Sequence, residues 1–155
     1  MIWGQARGEN VLDSGAHFYE TYETKDGKYM AVGAIEPQFY AELLSKIGSD
    51  SDELPQLLGP DSDNLKIKLA SVFKSKTRNE WAEIFDGSDA CVTPVLELEE
   101  APQHPHNKAR ESFVKNHTGD LMAPVSTIFS SNLNFLNKHI YQIDFETKLS
   151  NKWLT

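Results

Sequence analysis

An α+β fold is predicted, a small antiparallel sheet packed with helices to one side, and three observations carry it. An aromatic, β-favouring run at residues 18–23 and a short apolar run at 29–34 flank Asp26-Gly27, a strong hairpin turn signal. Three runs with the helical period follow, at 37–47, 65–73 and 77–85. A further apolar run at 90–95 then reads as another strand.

Each element has its own local reason. Residues 1–16 read as a linker, since Gly4, Gly8 and Gly15 punctuate them and no period holds. Pro37 is preorganised for the first position of a helix. Phe39, Tyr40, Leu43, Leu44 and Ile47 share one face of that helix, and Gly48 stops it. Residues 49–64 are rich in Ser, Asp, Gly and Pro and are expected to form a loop, with one short helical turn around 53–58. Leu65, Leu69, Val72 and Phe73 mark a second helix. Thr77-Arg78-Asn79-Glu80 has capping-box form and starts a third, which buries Trp81, Ile84 and Phe85 before Asp86-Gly87 ends it. The strand at 90–95 contains Pro94, which cannot donate to a ladder and so marks an edge or an end. Short helices are expected at 98–104 and 106–110, and two more strands at 112–115 and 124–129. Past about residue 130 no clean period survives. The expected division is a linker-like segment at 1–16, a small α+β domain at 17–130 and a divergent tail at 131–155, poorly ordered or lacking its normal partner.

Composition excludes several function classes. The 155 residues suit one domain. Fifteen Lys and Arg against 23 Asp and Glu leave a net charge of -8. Such a chain, without a basic run, is a poor partner for a phosphate backbone, so no nucleic-acid binding is expected. No membrane insertion is expected either, because no stretch approaches 18 apolar residues. The single cysteine, Cys91, rules out an intrachain disulfide and a thiolate zinc site, and points to a reducing, intracellular compartment. No signal peptide or targeting sequence is readable.

Few residues are candidates for chemistry. Glu36 stands at a strand-to-helix junction, where free N–H groups and the helix dipole favour a negative charge. It is either an orienting or acid–base carboxylate or an ordinary helix-start acid, and from the residues alone the ordinary reading leads. His104-Pro105-His106, with His117, has a weak metal-site spacing; surface histidines are the plainer reading, and no metal is expected. Cys91 lies in an apolar run and is expected to be a buried, inert thiol. There is no Gly-x-Ser-x-Gly elbow and no phosphate-binding glycine loop. Phe18, Tyr19, Tyr22, Tyr29, Phe39 and Tyr40 cluster around the hairpin and first helix; most should be core, with an interface as the rival reading.

Three ordered blocks carry a resemblance. Asn10-Val-Leu-Asp13-Ser-Gly15-Ala-His-Phe18-Tyr19-Glu-Thr-Tyr22 leads into Gly33-Ala-Ile35-Glu36-Pro37-Gln38-Phe39-Tyr40. Asp86-Gly87-Ser-Asp89-Ala90-Cys91-Val92-Thr93-Pro94 and His106-Asn107-Lys108-Ala-Arg110 follow in order. Over about residues 7–115 the chain resembles the small domain of the α-methylacyl-CoA racemase branch of the family III CoA-transferase superfamily. The resemblance implies interlocked homodimers, with an active site between the large domain of one subunit and the small domain of the other. It implies an acyl-CoA thioester as substrate and no cofactor. The α-proton leaves and returns through an enolate, with a His and an Asp of the large domain as the acid–base pair. By match, Glu36 supports that His through a hydrogen bond, and Tyr19 and Ile35 line the cleft. The family works in peroxisomes and mitochondria. Ser14 departs from the family's second Gly, His17 from its usual Pro, and the large domain lies outside the resemblance. The chain is therefore expected to be inactive alone, or to act as a non-catalytic module that pairs with a full-length relative.

Overall fold

The computed structural model describes residues 4–59, 61–110, 112–115 and 121–122. The described residues fall into two units, divided between Val95 and Leu96. The α+β expectation is met in the first. Strands β1 (Tyr19–Glu23), β2 (Tyr29–Gly33) and β3 (Val92–Val95) make an antiparallel sheet in the order β1-β2-β3. Helices α1 (Pro37–Ile47), α2 (Ser62–Phe73) and α3 (Arg78–Phe85) lie between β2 and β3 in sequence.

The hairpin closes as its residues require. Gly27 takes φ 74°, open to a residue without Cβ, and Thr24 N–H donates to the Lys28 carbonyl at 2.8 Å. Register pairs Tyr19 with Gly33, Thr21 with Ala31 and Glu23 with Tyr29. On the far side Ala31 meets Thr93 and Tyr29 meets Val95. Pro94 sits in β3, an edge strand of this sheet, as its missing donor demands.

Alternation along the strands separates two faces. Tyr22, Met30, Val32 and Val92 point into the core. There they meet Tyr40, Leu43, Leu44, Leu65, Leu69, Phe73, Trp81 and Phe85 from the helices. Tyr22 stacks on Phe73 with ring centroids 5.2 Å apart, and Trp81 meets Phe73 edge-on at the same separation. The Trp81 indole N–H donates to the Phe73 carbonyl at 2.8 Å, so the buried ring leaves no donor unpaired. Tyr19, Thr21, Glu23, Tyr29, Thr93 and Val95 are exposed on the other face.

The caps follow the sequence closely. Gly48 ends α1 at φ 73° and ψ 32°, the left-handed conformation that favours glycine. The Thr77 hydroxyl accepts from Glu80 N–H, and the Glu80 carboxylate accepts from Thr77 N–H at 2.8 Å, a reciprocal box at the start of α3. Two boundaries differ from expectation. Helix α2 begins at Ser62, inside the stretch expected to be loop: the Ser62 hydroxyl donates to the Gly15 carbonyl at 2.7 Å, and this tertiary contact outweighs its turn-like composition. Strand β3 begins at Val92, because Cys91 adopts φ 52° and interrupts the extended run.

The 4–16 segment is tied by its own polar groups. Asn10 Oδ1 accepts from the N–H groups of Gly4 and Gln5, both at 2.9 Å. Asn10 Nδ2 donates to Asp13 Oδ2 at 2.9 Å, and Asp13 Oδ1 accepts from Asn10 N–H at 2.6 Å. Val11–Gly15 coils between them, with Ser14 at φ 83°. A Cβ on Gly15 would overlap the carbonyls of Glu9 and Asn10, so only glycine fits.

The second unit holds a 3₁₀ turn at Ala101–Gln103, helix α4 (Pro105–Ala109) and the antiparallel pair β4 (Val114–Lys115) and β5 (Leu121–Met122). The expected strand at 124–129 and the tail at 131–155 lie outside the described residues.

Candidate functional site

The site is built at the end of the hairpin. Strand β2 stops at Gly33, whose N–H donates to the Cys91 carbonyl at 2.9 Å. Ala34 N–H then donates to Phe18 O, and Ile35 N–H to Gly33 O, both at 3.0 Å. Glu36 follows as the residue capping α1, with extended backbone at φ -75° and ψ 138°. Its carbonyl accepts from the N–H groups of Phe39 and Tyr40, each at 3.0 Å. Its side chain makes no capping bond. Among the described residues no hydrogen bond or ion pair involves the Glu36 carboxylate, and the residue is exposed. A carboxylate held at a helix start, yet unused by that helix, is available to a group outside this unit.

Ile35 and Tyr19 are also exposed, at 39% and 36%. Tyr19 lies over Gly33: a Cβ placed there would sit 3.8 Å from Tyr19 Cε2. Small residues at the sheet centre, Ala31 and Gly33, leave a shallow open groove of about 430 Å³. Tyr19, Thr21, Cys91 and Thr93 line it, with Leu12, Asp13 and Ser14 along one border. Tyr19 thus belongs to the groove. Ile35 and Glu36 do not line it; they continue the chain directly from Gly33, which does.

Cys91 corrects an expectation. The thiol is exposed, not buried: Ala90 and Val92 on either side of it take the core, so Cys91 shares the outward side with Thr93. Partial desolvation, together with the carboxylates of Glu36, Asp89 and Glu42, raises its pKa above that of an ordinary thiol. It stays protonated at neutral pH and is a poor nucleophile.

Among the described residues the histidines do not come together as a metal site. His104 caps α4 and His106 lies inside it, so the extended geometry that HxH spacing needs is absent. No group of three or more His, Cys, Asp or Glu suited to a metal occurs among the described residues, and His117 lies outside them. No described helix is long and apolar enough to cross a membrane.

Behind the junction lies a polar relay that the sequence did not announce. His17 is fully buried. Its Nε2 lies 2.8 Å from the Tyr40 hydroxyl, which donates to the Leu54 carbonyl at 2.9 Å. Tyr40 therefore accepts from His17, which fixes the Nε2–H tautomer and leaves Nδ1 without a hydrogen-bond partner among the described residues. Burial, with the charge of Lys66 adding to it, lowers the His17 pKa to about 4, so the ring is neutral. Gln56, in the same loop as Leu54, donates through Nε2 to the carbonyls of Ala34 at 3.1 Å and Ile35 at 2.8 Å. Its position between Pro55 and Leu57 carries no sequence signal for that role.

The model of CoA-transferase family III matches residues 2–138. The alpha-methylacyl-CoA racemase of Mus musculus is 59% identical over 114 residues, covering 73% of this chain and 30% of the relative. The alpha-methylacyl-CoA racemase of Homo sapiens is 54% identical over 121 residues, with 77% and 32% covered. A CaiB/baiF CoA-transferase family protein of Caenorhabditis elegans is 37% identical over 112 residues, with 72% and 32% covered. The chain thus spans about a third of the length of these curated relatives.

Proposed function

The chain belongs to CoA-transferase family III, and from that premise we propose that it serves as the small-domain portion of an isomerase resembling α-methylacyl-CoA racemase. The observation that carries the reading is Glu36: an exposed carboxylate, fixed at a strand-to-helix junction and bonded to nothing among the described residues of its own chain. In this reading a 2-methylacyl-CoA thioester loses its α-proton to a base on one face and regains one from an acid on the other. Both faces need a group of suitable pKa, and the enolate between them needs stabilisation. The His and Asp that do this in the family lie in the large domain, outside the stretch these residues match. Glu36 accepts a hydrogen bond from that His, holds its ring orientation and stabilises its protonated form. Tyr19 and Ile35 offer apolar surface beside it. The chain requires no cofactor for this role, and the CoA thioester is substrate.

Such a domain is inactive alone and works within a dimer, homodimeric or with a full-length relative. The test is complementation. A full-length α-methylacyl-CoA racemase whose own matching glutamate is replaced by glutamine is coexpressed with the 155-residue chain. Recovery of α-deuterium exchange supports the reading, and an unchanged crippled enzyme despite a stable complex contradicts it.

A second reading rests on a different observation. Tyr29 is 45% exposed and Val95 41%, side by side on the open sheet face. That surface suits a non-catalytic module that pairs with a full-length racemase and occupies the place of its small domain. Complex formation that lowers the turnover of the wild-type racemase favours this reading over the first.

A further inference from the structure

We propose that Gln56 is a positioning residue for Glu36, an inference that rests on the supporting role given to Glu36 above. Strand pairing ends at Gly33 and the helix begins at Pro37, so the two carbonyls between them, Ala34 and Ile35, face neither ladder nor helix. One side-chain amide takes both, at 3.1 and 2.8 Å. A single planar group bridging successive carbonyls sets the direction in which the next residue leaves the strand. The amide is itself anchored. Its loop is held by buried Leu54, whose carbonyl accepts from Tyr40 one turn into α1. The junction is therefore clamped from two sides by one loop, Gln56 before Glu36 and Leu54 after it. Glu36 contributes only its carbonyl to its own helix, so without the clamp its carboxylate direction is set by two backbone bonds alone.

The experiment has two arms. In the isolated chain, the N–H groups of Phe39 and Tyr40 report whether the Glu36 carbonyl is held. Gln56→Ala is expected to speed their hydrogen exchange at least tenfold, while the amides of Thr21 and Ala31 and the melting temperature are unchanged. Gln56→Glu keeps the size, loses the donor at neutral pH and should show the same pattern, which covers a failure of the alanine variant to fold. In the complementation assay the Gln56 variants should lower kcat for α-proton exchange at least tenfold with KM unaltered. Unchanged exchange at Phe39 and Tyr40, or full kcat in the variants, overturns the positioning role. No recovery by the unmodified chain overturns the underlying reading of Glu36 instead.

Discussion

Glu36 and His17 are both ionisable residues beside α1, and the fold treats them oppositely. Glu36 is exposed and contributes nothing through its side chain to the helix it caps. Glu36→Gln should therefore leave urea stability within about 0.5 kcal/mol, as surface changes usually do, while abolishing any contribution of this chain to α-proton exchange. His17 is sealed in the core as a neutral ring whose Nδ1 has no acceptor to receive a proton's charge among the described residues. Its folded pKa, about 4, lies below the usual 6.5. Between those values the unfolded chain binds a proton that the folded chain refuses. Stability is thus full above pH 6.5 and falls as pH drops toward 4, by up to about 1.4 kcal/mol per pH unit. Urea unfolding at pH 7, 6 and 5 should show this slope, and His17→Leu should flatten it in the same window. A slope unchanged in the variant would assign the acid sensitivity to other groups.

At the scale of elements, two local devices should have measurable weight. The Thr77–Glu80 box caps α3, and α3 brings Trp81 and Phe85 to the core. Thr77→Ala should cost about 1 kcal/mol, since the Glu80 N–H loses its acceptor and the Glu80 carboxylate its hydroxyl donor. Trp81→Ala should cost roughly 3–5 kcal/mol, because it opens a cavity against Phe73 and Phe85. Gly15→Ala tests the N-terminal knot: the added Cβ meets carbonyls of the backbone, which cannot swing aside, so a loss of at least roughly 2 kcal/mol is expected in a thermal melt. The elements most legible in the sequence were those with reciprocal local signals. Asp26-Gly27, Pro37 with Gly48, and Thr77 with Glu80 each mark a start or stop by chemistry that acts over a few residues. Where tertiary contacts decide, the sequence was silent. Ser62 enters a helix because Gly15, 47 positions away, accepts its hydroxyl. Cys91 turns outward because its neighbours Ala90 and Val92 take the core, and an unbroken apolar run does not show which of its residues will face inward.

For the whole molecule, Glu36 was legible as a candidate from its strand-to-helix junction, while its role, and Tyr19 and Ile35 altogether, came from the blocks that repeat a family pattern. The structure leaves all three exposed around one end of the hairpin. The groove over Ala31 and Gly33 and the Gln56 clamp arise from spatial neighbours far apart in the chain, which no window of sequence displays. The chain spans about a third of the length of its racemase relatives, and the proposed division of labour has this domain supply Glu36 while the acid–base pair comes from elsewhere. The most direct measurement is α-deuterium incorporation into a 2-methylacyl-CoA in heavy water, by the purified 155-residue chain and by its Glu36→Gln variant. The account predicts no exchange above the uncatalysed rate from either protein. Exchange by the unmodified chain that vanishes in the variant would contradict it, because the domain would then carry its own acid–base chemistry.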